Sequence, residues 1–219
     1  MEFNNADFEW FDKNNALFKN FHCDRNIMRF TCLGWGTQPD GIQIRGIEGC
    51  IRASTTSIGP RNMQNGFHVV FHEMGHSIDA TNAEWKKDIY SQQSSFQRVM
   101  MNDIKNLQGK LKIGKITEDD LNKLREDGNS RGVQDILGAC RYIDDGAYKQ
   151  IGEILYTYGH SGAYWQRSDP KAEAASELFA NISAAQVSPA EMEYINKFFP
   201  QSKREFDKII EKVAKQYTE

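Results

Sequence analysis

The chain lacks any apolar run near the ~20 residues that a bilayer-crossing helix needs, so its 219 residues read as a chain that does not span a membrane. It also lacks a charge imbalance: 27 Lys and Arg against 30 Asp and Glu leave a net charge of −3. With no basic stripe, a nucleic-acid partner is not expected. Cysteine is scarce. Cys23, Cys32, Cys50 and Cys140 form no C-x-x-C pair and do not cluster with the histidines. They read as reduced, mostly buried thiols of an intracellular protein, and a Cys23–Cys32 disulfide has no support. The first residues, Met1-Glu2-Phe3-Asn4-Asn5, are acidic and polar, so no signal peptide is expected. What the chain does have is 39% hydrophobic and 11% aromatic residues, enough for a real core, and a length that suits one domain.

The most informative stretch is Phe67-His68-Val69-Val70-Phe71-His72-Glu73-Met74-Gly75-His76-Ser77-Ile78-Asp79, which contains His72-Glu73-x-x-His76. On a helix, residues four apart share a face. His72 and His76 can therefore aim imidazole nitrogens at one metal ion, and Glu73, about 100° round the helix from His72, can take a proton from a metal-bound water. The context reads as helical. Phe67, Phe71, Met74 and Ile78 recur at helical spacing, and Asn65-Gly66 supplies a cap. Gly75 costs about 1 kcal/mol against Ala in a helix; between two ligands, it marks a place where another backbone comes close. His68 lies one turn earlier and reads as a surface or outer histidine.

Before this helix, an amphipathic segment from about Asn4 to Phe21 and alternating stretches at Ile27–Leu33, Ile42–Arg45 and Cys50–Thr56 predict a helix and then a small sheet. An edge strand at 51–57 is a candidate to hold an extended peptide. After it, Asn82 can cap a helix running to about Gln108. Thr117-Glu118-Asp119-Asp120 opens a charged helix with a near-match to the capping box. Residues 131–142 predict a short helix, Asp144-Asp145-Gly146 a turn, and 147–158 either strand or helix. Gly159-His160-Ser161-Gly162-Ala163-Tyr164-Trp165 reads as a loop dense in functional side chains. Asp169-Pro170 starts a helix as N-cap and first helical residue. Ser188-Pro189-Ala190-Glu191 forms a capping box, Phe198-Phe199-Pro200 breaks the chain, and a last helix reaches about Gln216.

A catalytic zinc needs a third protein ligand and an open position. Asp79, a further turn along the helix, is badly aimed for the same ion and is expected to hydrogen-bond in the outer shell. The alanine-rich helix after Asp169 offers Glu173 and Glu177 on one face. Glu173 sits in the first turn, where a carboxylate is favoured by the helix N-terminus. Glu177 is mid-helix among Ala174, Leu178 and Ala180, where a buried carboxylate is costly without a partner.

At these residues the sequence resembles a family. The HExxHxxD segment followed by Glu177-Leu178-Phe179-Ala180 is similar to gluzincins of the lethal-factor and Pro-Pro-endopeptidase types. It resembles more closely the metallopeptidase-like domain of phage minor-head (Mu F-type) proteins, through Gln134–Ala139, Gly159-His160-Ser161, Tyr164-Trp165 and Phe199-Pro200 as well. The resemblance covers about residues 65–215. It implies Glu177 as the ligating glutamate, with Glu173 the alternative. Those gluzincins place a transition-state tyrosine about seven residues before that glutamate, where this chain has Pro170; Tyr164 or His160 is the substitute. The gap from His76 to Glu177 is long for the group and reads as an insertion of helices at 82–142.

The expectation is a single α+β, zincin-like domain over 1–219: a small sheet at about 25–57, an active-site helix at about 66–80, the helical insertion, and a third-ligand helix at about 169–186. The expected activity is zinc-dependent hydrolysis of protein or peptide substrates. His72, His76 and Glu177 would bind Zn2+, Glu73 would act as general base, and Tyr164 or His160 would stabilise the oxyanion. The resemblance implies a phage or prophage origin, phage head proteins among the partners, and a cytoplasmic (bacterial host) or virion-associated location. Two other readings use the same residues: a non-catalytic, zinc-stapled phage head protein, and a proteolytic toxin or effector.

Overall fold

The computed structural model describes residues 36–38, 41–43, 72, 75–76, 78–79, 89–155, 159–186 and 188–216. Three of its longer helices begin where a side chain at the N-cap satisfies a free N–H group. Helix α1 spans Ser94–Lys112 and α2 spans Glu118–Glu126. The start of α2 is a full capping box: the Thr117 hydroxyl accepts from the Asp120 N–H, and Asp120 accepts from the Thr117 N–H. Aspartate at the third helical position thus does the work usually given to glutamate. Helices α3 (Arg131–Ala139) and α4 (Lys149–Leu155) follow. Between them Asp144, Asp145 and Gly146 all take positive φ; of the stretch left as strand or helix, 149–155 is helix and 156–158 lie outside the described residues.

The loop expected at 159–165 contains a short helix, α5 (Gly162–Trp165), capped by Ser161. Helix α6 spans Pro170–Ala185, with Asp169 accepting from the Lys171 N–H and proline in the first turn. Helices α7 (Pro189–Phe198) and α8 (Pro200–Gln216) complete the chain order. Helix α6 is the centre of the core. From Glu177 to Ala185 every residue is buried, so no face of this stretch is left for solvent, as expected of a central helix. It packs on α3, α7 and α1. Phe179 packs between Phe96 of α1 and Phe206 of α8 in tilted contacts, with ring centroids 5.5 and 4.7 Å away.

Two expectations are corrected. The α+β assignment is overturned: the interpretable part is 82% helical. Among the described residues the strands are β1 (Gly36–Gln38) and β2 (Gly41–Gln43), three residues each, paired antiparallel with Thr37 opposite Ile42. A hairpin this short is marginal alone and is no layer on which helices can stack. The remaining expected strands, at 27–33 and 50–56, lie outside the described residues, as do the Asn4–Phe21 segment, the 51–57 edge, His68 and Cys23, Cys32 and Cys50. The second correction concerns the helix expected from Asn82. Residues 80–88 are outside the described set, but Ile89 and Gln93 are extended around a 3-10 turn at Tyr90–Gln92, and the α-helix starts only at Ser94. The break has a cause. The Ser91 N–H and hydroxyl both donate to the buried Asp79 carboxylate, at 2.6 and 2.5 Å, and the chain leaves helical geometry to reach it.

Candidate metal centre

Residues 72, 75, 76, 78 and 79 are α-helical, so the expected motif helix is present at the positions described. It lies against α6 at very short range. A Cβ built on Gly75 would sit 2.7 Å from the Ala180 Cα and 2.8 Å from the Ser183 Cβ. Only glycine lets the two backbones meet there. The same approach brings His72 and His76, on either side of Gly75 in the motif, onto Glu177.

The Nε2 atoms of His72 and His76 lie 3.1 and 3.5 Å from one atom, Glu177 Oε2. A tetrahedral ion with bonds of about 2.0–2.1 Å has its ligand atoms about 3.3–3.4 Å apart, so both separations fit one shared ion. The outer nitrogens are already committed. His72 Nδ1 is 3.0 Å from Asn181 Oδ1. The Asn181 amide nitrogen donates to the Gly132 carbonyl, which fixes its oxygen as acceptor and His72 Nδ1–H as donor. His76 Nδ1 contacts the Ser176 hydroxyl at 3.3 Å. In neutral His72 this leaves the Nε2 lone pair facing the Glu177 carboxylate oxygen, an arrangement that could hold a metal ion.

Glu177 supplies the matching evidence. Its side chain is 3% exposed, and Oε2 is buried with no hydrogen-bond partner. A buried carboxylate oxygen without a hydrogen bond is costly unless a cation faces it. Burial pushes the Glu177 carboxyl up, but the His76 charge and the His72 contact outweigh it and hold the group well below the usual carboxylate range. Three ligand atoms from His72, His76 and Glu177 can thus hold a metal ion, and a second group, Asp135, His160 and Glu177, also meets the distance requirement.

The other oxygen, Glu177 Oε1, accepts from the Tyr164 hydroxyl. Burial first, and then the Glu177 charge, push the Tyr164 phenol far above its usual pKa, so it remains a donor. The His160 ring stacks on Tyr164 with centroids 3.8 Å apart, and its Nε2 is 4.0 Å from Glu177 Oε1. Tyr164 and His160, alternatives in the sequence, therefore sit side by side on one edge of the centre. Burial works to lower the His160 pKa, but the hydrogen bond to Asp135 and the Glu177 charge prevail and raise it.

Glu173, one turn before Glu177, is turned elsewhere. Arg167 and Ser168 both donate to it at 2.5 Å, and the same Arg167 lies 3.8 Å over the Tyr164 ring. The Glu173–Arg167 pair braces the edge of the site. Asp79 is buried as expected of an outer group, but both its oxygens accept from Ser91. Glu73 and the 156–158 segment lie outside the described residues. Sequence reasoning assigned no role to Asp135, Asn181 or Ser176. Asn181 had a readable signal, since it falls one turn after Glu177 on the same helix face. Asp135 had none beyond lying in a motif that the resemblance uses.

Compared with known families, curated proteins and solved structures, the chain matches no family model, no curated protein and no solved structure. Among the described residues, no helix is long and apolar enough to cross a membrane.

Proposed function

We propose that the chain is a zinc-dependent metalloendopeptidase. The observation that carries this reading is the convergence of two imidazole Nε2 atoms on one buried carboxylate oxygen that has no hydrogen bond. A set of two nitrogens and one oxygen suits zinc among the common divalent ions and leaves one position open. Zinc, when bound, supplies a Lewis acid for the scissile carbonyl and lowers the pKa of its water to about 7.

The chain's own residues supply the rest. Glu73, next to His72 in the motif, takes the proton from the attacking water and passes it to the leaving amine. The Tyr164 hydroxyl faces the centre from the Glu177 Oε1 side, where it can donate to the charge that develops on the carbonyl oxygen; His160 Nε2 lies on the same side and donates there when the ring is protonated on both nitrogens. A structural zinc usually fills all four positions with protein ligands; here Tyr164 and His160 lie on the remaining side. The resemblance to phage minor-head domains extends the proposal to a phage-derived chain, with phage head proteins as candidate substrates or partners.

A peptide library incubated with zinc-loaded protein tests the reading. Wild type is expected to cut, while Glu73→Gln binds zinc equally and cuts nothing, because an amide cannot accept the proton. An intact library with zinc confirmed in the protein would turn the site into a structural staple.

A further inference from the structure

We infer that Asp135 is a positioning residue for His160, holding the imidazole in one orientation and one tautomer so that Nε2 is presented to the Glu177 side of the centre. Its part in turnover rests on the peptidase reading above; the positioning itself does not. Asp135 lies on α3 and is 5% exposed. Its two oxygens serve the same residue. Oδ1 accepts the His160 backbone N–H and Oδ2 accepts the His160 Nδ1–H, each at 2.8 Å.

The backbone comes this close because position 159 is glycine. Gly159 has φ +89°, and a Cβ there would fall 1.9 Å from Asp135 Oδ1. One face of the ring is closed by Tyr164. Its edge meets Trp165 at 5.3 Å, and Trp165 is itself 1% exposed and anchored in the core. A ring held at its backbone, at Nδ1, on one face and at one edge has Nε2 left for chemistry. At 4.0 Å from Glu177 Oε1, Nε2 is beyond hydrogen-bond distance and is available to a substrate group. Asp135, His160 and Glu177 also sit close enough to be considered for a second ion. Both Asp135 oxygens and His160 Nδ1 are already bonded to each other, so that use is disfavoured and one zinc per chain is expected.

Asp135→Asn keeps the shape but offers one acceptor oxygen to two donors. In zinc-loaded protein it is expected to lower kcat/KM about 10–100-fold, the usual cost of losing an outer partner, with zinc content unchanged at one per chain. His160→Gln should cost at least as much, and adding Asp135→Asn to it should cost nothing further, because the second residue acts through the first. An equal loss in both backgrounds would mean that Asp135 supports the fold and does not work through His160, and would overturn the inference. Nitrogen-15 NMR of the wild-type imidazoles gives a readout that needs neither activity nor a folded variant. His160 is expected to carry a proton on Nδ1 that exchanges slowly with water. An unprotonated Nδ1, or two zinc ions per chain, would overturn the inference. A protonated Nδ1 in a protein that cuts no peptide would retain it while sinking the peptidase reading.

Discussion

Asp103 on α1 and Glu177 on α6 are both 2% exposed, yet their surroundings differ in kind. Asp103 is fully furnished with neutral donors: the N–H and side-chain amide of Gln201, and the N–H and hydroxyl of Ser202. Those N–H groups belong to the first turn of α8, where a helix has no internal acceptors. Asp103 therefore acts as a cap delivered from another helix, and it ties α8 to α1. Glu177 has Tyr164 on one oxygen; its other oxygen lies 3.1 and 3.5 Å from the Nε2 atoms of His72 and His76 and has no hydrogen-bond partner. A carboxylate that serves the fold is wrapped in donors. A carboxylate oxygen without a hydrogen bond beside two imidazoles could hold a cation.

The comparison can be broken most forcefully at Glu177. Glu177→Gln keeps the size of the side chain and removes its charge. Zinc affinity should fall by more than the ~100-fold at the upper end of an outer-partner loss, by competition titration. Asp103→Ala should show the opposite pattern. Leaving a helix start and a buried serine without their acceptor should cost about 2–4 kcal/mol in chemical denaturation, while zinc stoichiometry stays at that of wild type.

Gly75→Ala sharpens the geometric side of the account. The added methyl meets α6 backbone, which cannot swing away. An overpacking cost of about 1–3 kcal/mol, offset by the roughly 1 kcal/mol that alanine gains in helix propensity, leaves a net loss of up to about 2 kcal/mol, with weaker zinc binding as the helices part. The smallest effect concerns Asp79. Burial pushes its carboxyl up to about 7 from an ordinary 3.8, against the Ser91 hydrogen bonds and the His76 charge. Its neutral form is therefore favoured by folding. That contribution is complete below pH 3.8 and is lost as pH rises to about 7. Asp79→Asn should flatten the pH dependence of unfolding across this window; an unchanged slope would place the titration elsewhere.

What could be read from the sequence was local or periodic. The helical spacing of His72 and His76, the Asp169-Pro170 start and the choice of Glu177 over Glu173 as the carboxylate facing the histidines all depend on residues within a few turns of each other. The burial of Glu177 was legible because the alanine and leucine around it signal a central helix. The sheet was misjudged because period-2 alternation in a short stretch such as Ile42–Arg45 supports no more than the three-residue strand Gly41–Gln43. The break at 89–93 was invisible because its cause, Asp79, is twelve residues away from Ser91. Asn181 lies 109 residues from His72, and Asp135 lies 25 from His160; no periodicity reports such pairings, which exist only once α3, α6 and the motif helix are packed.

The central claim is that His72, His76 and Glu177 converge on one metal ion. X-ray absorption at the zinc edge of protein loaded with one equivalent tests it most directly. The account predicts a first shell at about 2.0–2.1 Å containing two imidazoles and oxygen, with one imidazole signal lost in His72→Ala and the oxygen shell altered in Glu177→Gln. A first shell that contains sulfur at about 2.3 Å, or one that neither substitution changes, would contradict it.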